Sequence, residues 1–171
     1  MRVSMLTVDP CTGLPTVVLE AAESDDRAAG SLKVAIGADV APAIAAELGG
    51  IEFERPCTHQ LTCGLLADAG ARIERVEIYG VVHGHHRVRV HLRLADDHRV
   101  SREARPSDAL ALALHTGAPI EVALSVLGRD ARRASVPCPD LETDDEPLLS
   151  IEPALADLAE VSDEVFGKWK M

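Results

Sequence analysis

Apolar and polar residues alternate with a period of two along 2–8 (RVSMLTV) and dominate 15–20 (PTVVLE), which predicts two strands. Asp9-Pro10-Cys11-Thr12-Gly13 between them is turn material. A polar loop runs from Glu23 to Gly30, and 31–36 (SLKVAI) reads as a third strand stopped by Gly37. The period then changes to that of a helix. Asp39 is placed to cap a helix reaching about Leu48, with Pro42 in its first turn and Gly49-Gly50 at its end. A second helix is expected over 57–68, with Leu61, Leu65 and Leu66 on one face.

The same order then starts again. Residues 72–82 carry Ile73, Val76, Ile78 and Val81 among polar partners. Val88, Val90, Leu92 and Leu94 alternate with Arg87, Arg89, His91 and Arg93. A short strand over 98–103, a helix over 105–116 and a closing strand over 119–123 follow. At an offset of 68 residues, the stretch from Val40 lies over the stretch from Asp108, and Gly49 lies over Gly117. These patterns predict an α+β fold of duplicated strand-strand-strand-helix halves, with helices packed on a mostly antiparallel or mixed sheet. The domain should span 1–128, followed by a linker over 129–147 and an acidic helical tail over 148–171.

Composition narrows the picture. With 47% hydrophobic but only 2% aromatic residues, the core must be built from aliphatic side chains. No apolar run approaches the roughly 18 residues needed to cross a bilayer, so a soluble, cytoplasmic protein is expected. The net charge of −11 is unevenly spread. Eleven arginines and six of the seven histidines fall within 71–137, whereas the two ends are acidic. Cys11, Cys57, Cys63 and Cys138 contain no Cys-x-x-Cys pair, so reduced and mostly buried thiols are expected. Cys57-x-His59-x3-Cys63 does not follow a zinc spacing.

Candidate chemistry gathers at two helix entrances, Arg55-Pro56-Cys57-Thr58-His59 and Arg105-Pro106-Ser107-Asp108. Proline is harmless in a first helical turn, and Ser107 or Asp108 could cap the free amides. A guanidinium beside such amides makes a natural phosphate site. The Arg87/Arg89/His91/Arg93 row could track a phosphate backbone or be a solvated face. His83-Gly84-His85-His86 reads as a polar hairpin turn.

Over about residues 1–128 the chain resembles the bifunctional nuclease family. The resemblance rests on Ile36-Gly37, Arg55-Pro-Cys-Thr-His59, Arg105-Pro-Ser-Asp-Ala109, Leu112-Ala113-Leu114, Gly117 and Ala118-Pro119-Ile120, with a tail like Val161-Ser-Asp-Glu-Val-Phe166. It implies a compact α+β domain, often a homodimer, that hydrolyses DNA and RNA with low sequence specificity. This chain has Val40 and Gln60 where the family has acids, and His86-Arg87 where it has an aromatic pair. Phosphodiester hydrolysis needs phosphate neutralisation, water activation and protonation of the leaving oxygen, commonly with Mg²⁺ or Mn²⁺. Arg105, Arg55, Ser107, Thr58, Arg87 and Arg89 are therefore expected to bind substrate. Asp108, His59 and Glu103 are the catalytic candidates, and Asp108 with Asp39 the metal ligands. Histidine titrates near neutrality, which suits His59 to acid–base work. The rival expectation is a non-catalytic module that binds a nucleotide, another anion or a small molecule on the same scaffold.

Overall fold

The computed structural model describes residues 1–21 and 30–127. The expected linker and acidic tail lie outside these residues. Strands β1 (Arg2–Val8), β2 (Pro15–Glu20) and β3 (Ser31–Ala35) form an antiparallel sheet in that order. Helices α1 (Ala41–Gly49) and α2 (Thr58–Asp68) follow. Strands β4 (Arg72–Val82), β5 (His85–Arg93) and β6 (Arg99–Ala104) make a second antiparallel meander. Helix α3 (Pro106–Thr116) then returns the chain to β7 (Ile120–Val122), which pairs parallel with β4, giving the order β6-β5-β4-β7. The fold is α+β with two meander-and-helix halves, as the periodicity predicts.

Turn chemistry sets the registers. Asp9 Oδ1 accepts from the Cys11 and Thr12 amides, both at 3.0 Å, closing the β1–β2 connection. Between β4 and β5, His83 and Gly84 both have positive φ, 49° and 83°. That is the two-residue hairpin turn whose twist matches its strands, with His-Gly taking the place more often held by Asn-Gly.

The two halves share one aliphatic core. Val17, Leu19, Leu32 and Val34 from the first sheet join Val76, Ile78, Val88 and Val90 from the second. Ile44 of α1 and Leu110 of α3, both fully buried, complete it. Among the described residues no helix is long and apolar enough to cross a membrane.

Four local expectations are corrected. Asp39 does not cap α1; Val40 occupies that position and is buried, so its side chain serves the core. Neither Ser107 nor Asp108 caps α3, whose N-cap position is Arg105. Helix α2 turns only Cys63 fully inward, while Leu61 and Leu65 are exposed. Finally, Cys11 is disulfide-bonded, whereas Cys57 and Cys63 are free. Cys11 sits exposed on the β1–β2 turn, and Cys63 is buried.

Candidate active site at the entrance of the third helix

Arg105 precedes Pro106 in extended backbone (ψ 146°), as a residue before proline prefers, and so aims its side chain back across the start of α3. Its guanidinium grips Asp108 with two nitrogens, Nε to Oδ2 at 2.8 Å and Nη2 to Oδ1 at 3.0 Å. The third nitrogen, Nη1, donates to Asp39 Oδ2 at 3.4 Å. One cation thus holds a carboxylate from each half of the fold. Gly37 permits this, because a Cβ there would lie 2.1 Å from Asp39 Oδ1.

His59 Nε2 lies 3.3 Å from Asp108 Oδ1, extending the chain of contacts to α2. Burial alone would raise the Asp108 carboxyl, but hydrogen bonds from Arg105 and His59, and their charges, outweigh it and hold the group below its usual range. Asp108 is therefore ionised at neutral pH. Burial, and then the charges of Glu47 and Cys57, push the Cys63 thiol up, which makes it a poor nucleophile.

A cleft of about 530 Å³ opens beside this network, walled by residues 35–37, 85–88 and 103–107. Arg105, Ser107, Glu103 and Arg87 line it; His59, Arg55, Thr58, Arg89, Asp39 and Asp108 do not. Arg105 stays 64% exposed in spite of its partners. Arg55 and Thr58 are exposed at the start of α2, where the Thr58 carbonyl accepts from Thr62 Oγ1 at 2.7 Å.

The two helix entrances are not equivalent. At α2, Gln60 Oε1 accepts from the Cys57 amide at 3.0 Å, while Gln60 Nε2 donates to Glu47 at 3.1 Å. Gln60, where the resemblance leads one to expect an acid, is thus a cap and a tie between helices. At α3 no side chain caps the amides of Ser107 and Asp108. Only the α3 entrance stays open.

Arg87, His91 and Arg93 of the β5 row face acidic partners. Arg87 donates to Glu103 Oε2 at 2.6 Å, and Arg93 donates to Glu74 at 3.0 Å. His91 lies 2.9 Å from Glu77, and Arg89 stacks 3.9 Å from the centre of the Tyr79 ring. Tyr79 hydroxyl donates to Glu103, and this bond first, then the Arg87 and Arg89 charges, overcome desolvation and lower the Glu103 pKa. Tyr79 is the member of this cluster that reading the sequence passed over. Its signal was the shared period of two, because antiparallel pairing sets Glu77 opposite Arg89 and Arg89 opposite Glu103.

Among the described residues no three His, Cys, Asp or Glu side chains converge as a metal cage. Asp39 and Asp108, however, both face a single cation, the Arg105 guanidinium. Mg²⁺ characteristically takes one or two carboxylates and completes its shell with water and substrate phosphate. Carboxylate oxygen is the donor type such an ion takes, and here both carboxylates are engaged by Arg105.

A family model for the bifunctional nuclease domain matches residues 17–135, which run from within β2 through β3, the second meander, the cleft and the Arg105 network. The chain belongs to the bifunctional nuclease domain family. Two relatives are the uncharacterized proteins MT1877 and Rv1829 of Mycobacterium tuberculosis, strains CDC 1551 / Oshkosh and ATCC 25618 / H37Rv. Each is 33% identical over 151 residues, covering 88% of this chain and 84% of the relative. For a bifunctional nuclease domain, nucleic acid is the natural partner.

Proposed function

We propose that this protein is a low-specificity nuclease that hydrolyses DNA and RNA phosphodiesters at the entrance of α3, and that it works as a homodimer. The observation that carries the reading is the Arg105 guanidinium, gripped by Asp108 and Asp39 yet open to the cleft. Arg105 binds and orients the phosphate, for which its forked geometry is suited. Its partner carboxylates, Asp39 and Asp108, would hold a divalent ion, Mg²⁺ or Mn²⁺. When bound, such an ion supplies positive charge to the phosphoryl oxygens and makes a coordinated water more acidic.

Asp108 keeps its negative charge because Arg105 and His59 both stabilise it. His59 acts through Asp108, fixing the carboxylate with Nε2 and holding a proton within reach of Oδ1. Glu103 lines the cleft as a charged group. A carboxylate with a lowered pKa is a weak base, so Glu103 suits orienting a water better than deprotonating it. Arg87 steadies Glu103 and adds a second positive charge to the wall.

The test is cleavage of plasmid DNA and single-stranded RNA by purified protein with Mg²⁺ or Mn²⁺, with EDTA, and by Asp108→Asn. The reading expects cleavage with a divalent ion, its loss in EDTA and its loss in the variant. Cleavage that Asp108→Asn leaves unchanged overturns it. Light scattering of the same preparations tests the dimer.

A further inference from the structure

Ser107 is only 5% exposed and lines the cleft, yet its hydroxyl has no hydrogen-bond partner among the described residues. The oxygen is not sealed off, since it is absent from the buried polar atoms that lack both partner and solvent. A recessed hydroxyl that only water reaches is free to donate to a ligand oxygen that displaces that water. The amides of Ser107 and Asp108 stand beside it, uncapped at the positive end of an eleven-residue helix. Arg105 flanks the same opening.

From this we infer that the cleft is a subsite for one nucleotide of a single strand, with the phosphate held by Ser107 Oγ and the first α3 amides. The inference rests on the phosphodiester reading of the site and adds to it the form of the substrate. Three observations select a single strand. First, a cleft of about 530 Å³ is sized for one small-molecule unit. Second, the hydroxyl donor belongs to Ser107, which lines the cleft and is almost wholly buried. A flexible strand can lower one phosphate into such a recess, whereas the phosphates of a rigid duplex are tied to two continuous ridges.

Third, among the described residues most arginines of the sheet face beyond the cleft are already paired with acids, which weakens a track for a duplex backbone. Arg87, Arg93, Arg99 and Arg75 are paired with Glu103, Glu74 and Glu121. The cleft walls suit a base. His85 and His86 supply imidazole planes, and Ile36, Val88 and Pro106 supply apolar surface.

The experiment is fluorescence anisotropy with a labelled, cleavage-resistant phosphorothioate oligonucleotide, single-stranded or annealed to its complement, with MgCl₂ and again with EDTA. The single strand is expected to bind about tenfold more tightly than the duplex. Ser107→Ala and Ser107→Cys, which keep the side chain small, are expected to weaken single-strand binding about fivefold to tenfold with little change in melting temperature. Equal or tighter duplex binding overturns the inference, as does unchanged single-strand binding in both Ser107 variants. Because the readout is binding, a protein that grips the strand without cleaving it sinks the nuclease reading alone. One that cleaves without these binding differences sinks only the single-strand subsite.

Discussion

His115 Nδ1 lies 2.8 Å from Glu47 Oε1, and these residues are 68 positions apart, the offset at which the two helices repeat in the sequence. Counterpart residues of the two repeated helices thus touch directly. The contact therefore marks the junction between α1 and α3. Gln60 of α2 donates to the same Glu47 oxygen, so a single carboxylate ties three helices.

Glu47→Ala removes that shared acceptor from a side chain only 19% exposed. Denaturant unfolding should show a loss of about 1–3 kcal/mol, the usual result of orphaning part-buried hydrogen-bond donors. An unchanged midpoint would show that the junction is held by packing alone.

Packing has its own test at Leu110, which is fully buried at the centre of the shared core. Leu110→Ala should destabilise the protein by about 2–5 kcal/mol. Leu65→Ala on α2, 60% exposed, should stay within about 0.5 kcal/mol. Comparable losses at the two positions would contradict the observed facing of α2.

Acid should weaken the charged sheet face. The Arg93 hydrogen bond first, and then Arg99, overcome desolvation and hold the Glu74 carboxyl below its ordinary value of 4.5. The unfolded chain then binds the proton more readily than the folded one. The contribution is thus present above pH 4.5 and is lost as pH falls through the lower folded value. Melting temperature should decline below about pH 4.5 in the native protein. Glu74→Gln should make that decline shallower; an identical pH dependence would remove Glu74 from the account.

Much of this architecture is legible in the sequence. The alternation over 2–8, 15–20 and 72–82 marks β1, β2 and β4 at their observed bounds, because strand period depends on local geometry. The repeat at 68 residues likewise corresponds to the two meander-and-helix halves. Side-chain partners were harder to read. Asp39 has the spacing of an N-cap, yet its carboxylate serves Arg105, 66 residues away, a choice made only once α1 and α3 are packed. Gln60 reads as a lost acid until the position of Glu47 shows it to be a tie. The β5 row reads as either a basic track or a solvated face, because the pairing of Arg93 with Glu74, His91 with Glu77 and Arg87 with Glu103 depends on registers between strands.

The His59 contact calls for a substitution that preserves shape. His59→Asn should reduce cleavage by roughly tenfold to a hundredfold while substrate binding changes little, the pattern of a group acting on orientation and protonation. A change confined to KM would instead assign His59 to substrate binding.

The central claim is that Arg105 at the open entrance of α3 carries phosphodiester hydrolysis. Its most direct test is the initial rate of single-stranded RNA cleavage, with saturating divalent ion, for native protein, Arg105→Ala and Arg105→Lys. Loss of one preorganised charge donor predicts a fall on the order of 100-fold in the alanine variant, and lysine should rescue it only in part. Melting temperature should barely move, since Arg105 is 64% exposed. Rates for both variants equal to the native rate would contradict the account.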